Sequence, residues 1–303
     1  MTAVVALLAL ALTSPAEPLA PGDHVRRFTI DGRERAARVH VPRRDDPSRP
    51  VPVVLAFHGT GMTAAMMERY TGLSRRADAE GFLAVYPQGE SAGVFRSFNV
   101  GGVTGKLARG MLDDLAFVDR LLADLATIAP VDPDRVYATG ISNGAMFCYR
   151  LAAERADRIA AIAAVGGVAT AAHPSPTRPV PVLHIHGTED RLVLYEGADK
   201  GAWNFVPLLS VQATIAAWVA RDGCPVEPKV EALPDRADDE TTVTRAAYGP
   251  GRDGAEVVLL TVRGGGHTWP GATEPAVVLG RTSREFDAAD VIWEFFRSHP
   301  RRR

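Results

Sequence analysis

The chain has 303 residues, 46% of them apolar, which is enough to bury a sizeable core and too apolar for a disordered protein. Thirty-four basic residues against 36 acidic ones leave a net charge of −2, so no strong field draws nucleic acid or an anionic membrane. The two cysteines, Cys148 and Cys224, are too few for a disulfide framework, and the fold must stand on its core.

Ala3 to Leu12 is a continuous apolar run followed by Thr13-Ser14-Pro15-Ala16. It is shorter than the ~20 residues of a membrane-spanning helix, and it fits a signal peptide over residues 1–16, although no Lys or Arg precedes it. Secretion is therefore expected, and stable membrane insertion is not. His24–Ile30 and Arg35–Val41 read as strands around an Asp31-Gly32 turn. Val51–Phe57 is a buried-type strand, Met62–Glu80 a helix stopped by Gly81, and Phe82–Tyr86 a strand. Residues 88–110 are rich in Gly and Ser and read as a long loop. Asp114–Ala129 carries one apolar face, with Asp113-Asp114 as its cap. Strand, helix and strand follow at Arg135–Ile141, Asn143–Arg155 and Ile159–Val165. Val180–Ile185 is a further strand and Val206–Arg221 a helix. Val243–Tyr248 and Val257–Val262 form a hairpin pair, and Phe286–Phe296 is a closing helix. This alternation predicts an α/β fold: one domain over residues 24–299, its mostly parallel central sheet covered by helices on both faces. Ligands in such sheets bind beyond the carboxyl ends of the strands.

Gly140-Ile-Ser142-Asn-Gly144 is a G-x-S-x-G match, weak alone but set here between a strand and a helix. Such an elbow strains the serine backbone and lifts Oγ above the sheet, with the helix N-terminus behind it. A serine needs a base, and the partners should follow in the order acid, then histidine, each past a strand. His186-Gly-Thr-Glu-Asp190 and Gly264-Gly-Gly-His267 fill those places. Either Glu189 or Asp190 could be the acid on position alone. His58-Gly-Thr60-Gly follows the first long strand, where the second oxyanion donor belongs; that donor is assigned to Thr60 and the first to Asn143. His184 and His186 share a strand face and His58 ends another strand, but no further ligand completes a zinc site, so neither metal nor cofactor is expected. His24, His40, His173 and His299 are expected at the surface. Cys148 is expected to pack inside, and Cys224, in Asp222-Gly-Cys-Pro, to be an exposed and reactive thiol.

Together these motifs resemble the secreted α/β-hydrolase esterases that include polyhydroxybutyrate depolymerases and feruloyl or acetylxylan esterases. The similarity runs from about Arg35 to His299. It is carried by Val131-Asp-Pro-Asp-Arg-Val-Tyr-Ala-Thr-Gly-Ile-Ser-Asn-Gly, His186-Gly-Thr-Glu-Asp, Gly265-Gly-His-Thr-Trp-Pro-Gly and Gly280-Arg-Thr-Ser-Arg-Glu-Phe-Asp. The resemblance implies Ser142, Asp190 and His267 as a triad, with Asp190 preferred to Glu189, and Trp269 beside the acyl site. Family members often carry cysteines where this chain has Gly101-Gly102 or Val103, and one near Gly251 that would pair with the position of Cys224; neither is present here.

The stretch Val168–Pro179 is too short for a helical cap, which predicts an open cleft. Its walls are expected from residues 88–110, 192–205 and 269–283, with Phe95, Phe98, Tyr195, Trp203 and Trp269 as aromatic contacts. The expected activity is hydrolysis of a polyhydroxybutyrate-type polyester or its oligomers by a monomer. The alternatives are a feruloyl or acetylxylan esterase, a serine peptidase, which would usually bring a gating cap or propeller, and a non-catalytic binding protein, which would usually have lost a triad residue.

Overall fold

The computed structural model describes residues 19–30, 32–90, 96–102, 113–170, 173–197, 208–274 and 277–302. The N-terminal apolar run, Phe95, Val103 and Trp203 lie outside them.

Ten strands make one sheet: β1 (Gly22–Ile30), β2 (Arg33–Val41), β3 (Val51–Phe57), β4 (Leu83–Pro87), β5 (Val131–Ile141), β6 (Ala161–Val165), β7 (Val182–Gly187), β8 (Lys229–Ala232), β9 (Thr242–Tyr248) and β10 (Val257–Arg263). Their order is β1-β2-β4-β3-β5-β6-β7-β10-β9-β8. The run from β4 to β10 is parallel, and antiparallel strands flank it on both sides. The helices are α1 (Ala64–Thr71), α2 (Leu73–Glu80), α3 (Asp114–Ile128), α4 (Asn143–Glu154), α5 (Val211–Asp222) and α6 (Ala288–Ser298).

Strand alternation divides the core in two. Val53, Leu55 and Phe57 of β3 join Val136 and Ala138 of β5 under α3, α4 and α5. Val54 and Ala56 face the other way, into a second core with Leu183 and Ile185 of β7 and the apolar sides of α1, α2 and α6. That is the two-sided burial expected of parallel strands that read as continuous apolar runs.

Several elements differ from the sequence reading, β5 beginning at Val131 rather than Arg135 among them. The helix expected over Met62–Glu80 is two, because Gly72 takes a left-handed φ of 65° that ends α1 at Thr71 before α2 begins at Leu73. The helix expected from Val206 begins at Val211, where the Ser210 hydroxyl accepts the Ala213 N–H. Strand β8 was not expected: all four of its residues are exposed, so it has no buried face to give a pattern.

Candidate active site

β5 ends at Ile141 and α4 begins at Asn143, leaving Ser142 alone in the turn at φ 57° and ψ −123°. A positive φ on a non-glycine residue costs on the order of 1–3 kcal/mol and persists only where its surroundings force it. The force here is close packing of the elbow on β3. A Cβ at Gly144 would lie 2.1 Å from the Phe57 carbonyl oxygen, and one at Gly140 would lie 2.7 Å from the same atom. The two glycines of the motif therefore serve the approach of α4 to the sheet. The strained serine is tied down by its own N–H, which donates to the Val165 carbonyl, and by its carbonyl, which accepts the Met146 N–H and starts the helix.

The acid and histidine segments leave the neighbouring strands β7 and β10 and are laced together. Thr188 N–H donates to Val262 O, Glu189 N–H to Gly265 O, and Gly264 N–H to the Thr188 hydroxyl. His267 N–H donates to Leu279 O at 2.7 Å, which fixes the histidine from its other side. The result is a buried contact between His267 Nδ1 and Asp190 Oδ2 at 2.7 Å, the geometry of a charge-assisted hydrogen bond. A carboxylate can only accept, so Nδ1 carries the proton and a neutral ring keeps its lone pair on Nε2. Gly166, directly after the residue that anchors Ser142, packs against this pair: a Cβ there would stand 3.3 Å from His267 Nδ1 and 3.5 Å from Asp190 Oδ2. Glu189, the alternative acid, is exposed and pairs with Arg281 at 3.0 Å.

Asp190 is held by three donors, with a second imidazole close by. Its Oδ1 accepts the N–H groups of Leu192 and Val193, and its Oδ2 accepts from His267 and faces His186 Nε2 at 3.3 Å. Burial alone would raise this carboxyl, but the His186 and His267 imidazoles beside Oδ2 hold it well below the usual carboxylate range.

The turn after β3 uses up two of its amides, Gly61 N–H on Arg96 O and Met62 N–H on Gly59 O. Among the described residues no acceptor meets the amide of Thr60, which is exposed, or that of Asn143 at the first position of α4. The Asn143 side chain has a use that sequence did not reveal. It clamps the backbone of Phe98 from both sides, accepting its N–H at 2.7 Å and donating to its carbonyl at 3.0 Å. Asp114 adds to the same anchorage. It accepts the Asn99 N–H while forming a buried ion pair with Arg35 at 2.5 Å, so only Asp113 of the acidic doublet is the simple helix cap.

Three of the five aromatic residues expected along the cleft, Phe98, Tyr195 and Trp269, lie among the described residues and are placed otherwise. Phe98 is buried, its ring stacked on Phe147 and edge-on to Phe57. Trp269 is 1% exposed within the α1, α2 and α6 core, and its backbone N–H meets the Tyr70 hydroxyl. Tyr195 is half-buried, bonded through its hydroxyl to Thr261 and Gln212, with its ring edge against His186. Each ring packs on protein, so none stands free as a cleft wall.

Four further histidines bond within the fold. His58 Nδ1 donates to the Gly59 carbonyl and its Nε2 accepts the Gly89 N–H; burial pushes it down to about 4. His184 and His186 bond to each other. His173, expected at the surface, is buried and donates to Val100 O, holding the same loop as Asn143. Cys148 is buried as expected, but so is Cys224, whose thiol burial pushes up to about 11; both are free. A Cβ at Gly251 would lie 2.7 Å from Cys224 Sγ, so the two segments that the family resemblance pairs do touch here.

A parallel sheet with a strained serine between the strand and helix at its centre, and an acid–histidine pair past two neighbouring strands, defines an α/β-hydrolase fold. Among solved structures, an acetyl xylan esterase from Aspergillus awamori aligns over 81% of this chain and 94% of its own, with TM-score 0.56 and 16% identity. The structure titled sOPH native aligns over 94% and 89%, with TM-score 0.60 and 16% identity. No family model matches the chain. The protein named "Putative esterase NocK" from Nocardia uniformis subsp. tsuyamanensis is 35% identical over 287 residues, 89% of this chain and 81% of that protein. This chain belongs to that esterase family. Feruloyl esterase B of Piromyces equi is 25% identical over 77% of this chain, and the bifunctional acetylxylan esterase/xylanase XynS20E of Neocallimastix patriciarum 26% over 78%; the matches span 42% and 31% of those longer proteins. No described helix is long and apolar enough to cross a membrane.

Proposed function

We propose that the chain is a serine esterase in which Ser142 is the nucleophile, His267 the general base and Asp190 its orienting acid. The observation that carries the reading is the buried His267–Asp190 contact, which leaves His267 Nε2 as the basic atom, beside the strand end that anchors the strained serine. Ser142 Oγ attacks the ester carbonyl carbon while His267 Nε2 takes its proton. The amides of Thr60 and Asn143 receive the charge on the carbonyl oxygen. Collapse breaks the bond to the alcohol, which leaves with the proton from His267, and water then repeats the sequence on the acyl-enzyme.

The substrate class we favour is a carboxylic ester on a bulky or polymeric group, a hydroxyalkanoate polyester or its oligomers. The poly(3-hydroxyalkanoate) depolymerase C of Paucimonas lemoignei is 33% identical over 120 residues, 38% of this chain. Feruloyl or acetylated polysaccharide esters are the second reading, favoured by the names of the relatives that match over more of the chain. Turnover of p-nitrophenyl acetate, methyl ferulate and emulsified polyhydroxybutyrate separates them. Ser142→Ala is expected to lose fluorophosphonate labelling and nearly all turnover with its fold intact, keeping at most the roughly 10³–10⁴-fold advantage over water that survives loss of a triad member. Near-wild-type turnover by that variant refutes the mechanism. The apolar run Ala3–Leu12 supports a secreted enzyme, which activity in the medium of an expressing culture tests.

A further inference from the structure

Behind Asp190, three polar side chains are buried in one line. Tyr149 of α4 places its hydroxyl 2.6 Å from His184 Nδ1. His184 Nε2 lies 3.1 Å from His186 Nδ1, the two rings stacked 5.2 Å apart and nearly parallel on β7. His186 Nε2 is 2.8 Å from the Val193 carbonyl and 3.3 Å from Asp190 Oδ2. Tyr149 and His184 are 0% exposed and His186 1%.

One end of this line fixes the protons in all of it. The Val193 carbonyl can only accept, so His186 Nε2 carries a hydrogen. A neutral His186 then accepts on Nδ1, so His184 must donate from Nε2, and a neutral His184 accepts on Nδ1 from the Tyr149 hydroxyl. Burial raises the Tyr149 phenol well above its ordinary value and lowers the His184 imidazole well below its own, which keeps the hydroxyl protonated and the ring neutral.

We propose that His186 is a positioning residue for the candidate triad: its Nε2–H, given to the Val193 carbonyl, fixes its tautomer and sets the N–H edge of the ring 3.3 Å from Asp190 Oδ2, while His184 and Tyr149 hold the ring from its Nδ1 side. The proposal rests on the esterase reading above. Its consequence is specific. With the N–H edge of a second imidazole beside the same carboxylate oxygen, the negative charge of Asp190 is partly offset and its pull on the His267 proton is moderated. The groups facing Asp190 are His267 from the segment after β10 and His186 from β7. Those facing His186 are His184 on its own strand and Tyr195 from the segment after Asp190, with Tyr149 of α4 beyond His184; Gly166, the residue after β6, faces His267 and Asp190. No arginine or lysine is among them. The histidine pair that resembles metal ligands in sequence is thus engaged at all four nitrogens.

The test is the pH profile of kcat/KM for p-nitrophenyl acetate in wild type, His186→Phe, His186→Gln, Tyr149→Phe and Ser142→Ala. His186→Phe keeps a ring but removes the donor. It is expected to lower kcat roughly ten- to a hundredfold, the loss typical when an outer partner of a metal-bound histidine is removed, with KM little changed. The acid limb should move to higher pH, because an Asp190 without that N–H edge beside it stabilises the His267 imidazolium more. His186→Gln, which places an amide N–H near the position of Nε2, should bring both back toward wild type. Tyr149→Phe removes one hydroxyl at the far end and should move the limb the same way by less, so the proposal stays testable if His186→Phe does not fold. An unmoved limb in both His186→Phe and Tyr149→Phe, or a loss that Gln does not restore with the limb unmoved, overturns the proposal and leaves His186 a packing residue. Ser142→Ala separates the two readings. Its inactivity beside an indifferent His186→Phe refutes the positioning role alone, whereas turnover by Ser142→Ala refutes the esterase mechanism and the positioning role with it.

Discussion

At the scale of single residues, the side chains around the site divide into those that meet chemistry and those that hold the backbone. His267 must be neutral to accept a proton, so kcat/KM is expected to rise with pH through one ionisation. A flat profile from acid to alkaline pH, with diffusion excluded by a viscosity control, contradicts a histidine base. Trp269 belongs to the second group. Its ring lies in the core and its backbone N–H meets Tyr70 two residues beyond His267. Trp269→Ala should therefore cost about 3–5 kcal/mol in unfolding free energy, the usual loss for a buried large aromatic. It should also reduce turnover of small and large esters by the same factor. A selective loss on aromatic or polyester substrates returns the indole to the substrate site.

At the scale of elements, short segments are stapled where sequence gave no regular pattern. Residues 96–102 are held by the Asn143 clamp, by Asp114, by Arg150 on the Asn99 carbonyl and by His173 on the Val100 carbonyl. The turn after α5 is closed in the same way. Cys224 packs against the segment around Gly251, with its thiol 3.6 Å from the Ala255 carbonyl. Both cysteines being buried and free, thiol titration should find none reactive in native protein and two after denaturation, with no mass deficit of two hydrogens. One thiol titrating in native protein means that the turn after α5 opens in solution. A deficit of two hydrogens means that the pair is bridged.

For the whole molecule, buried titratable groups oppose one another. An unfolded aspartate titrates near ~3.9, and burial pushes Asp222 up to about 7. Between those values the fold keeps a proton that the unfolded chain has released, so this contribution to stability is full below the unfolded value and lost as pH rises to about 7. Buried His58, pushed down to about 4, runs the other way: the unfolded chain holds the extra proton, and stability rises with pH from about 4 toward ~6.5. The lowered His173 and His184 have the same sign as His58. Asp222→Asn keeps an acceptor for the Val180 N–H but cannot titrate. Its urea-unfolding free energy should therefore climb more steeply than that of wild type between about pH 4 and pH 7. Parallel curves for the two proteins show that Asp222 titrates in the fold as it does in the unfolded chain.

Sequence by itself determined the elements and the motif loops, because both are local. Continuous apolar runs such as Val51–Phe57 admit few readings other than buried strands, and a serine flanked by glycines between a strand and a helix marks its own turn. The positions of Asp190 and His267 were legible for the same reason, each lying a few residues past a strand. Only the tertiary structure decided what meets across the sheet. Period two put His184 and His186 on one face, but whether that face offered a metal, solvent or Tyr149 depended on the packing of α4 against β7. The burial of Phe98, Trp269, His173 and Cys224 depended equally on partners distant in the chain, since an aromatic ring or a thiol in a loop carries no pattern that tells cleft from core. β8 escaped notice because an exposed edge strand buries no face, and burial is what gives a strand its pattern.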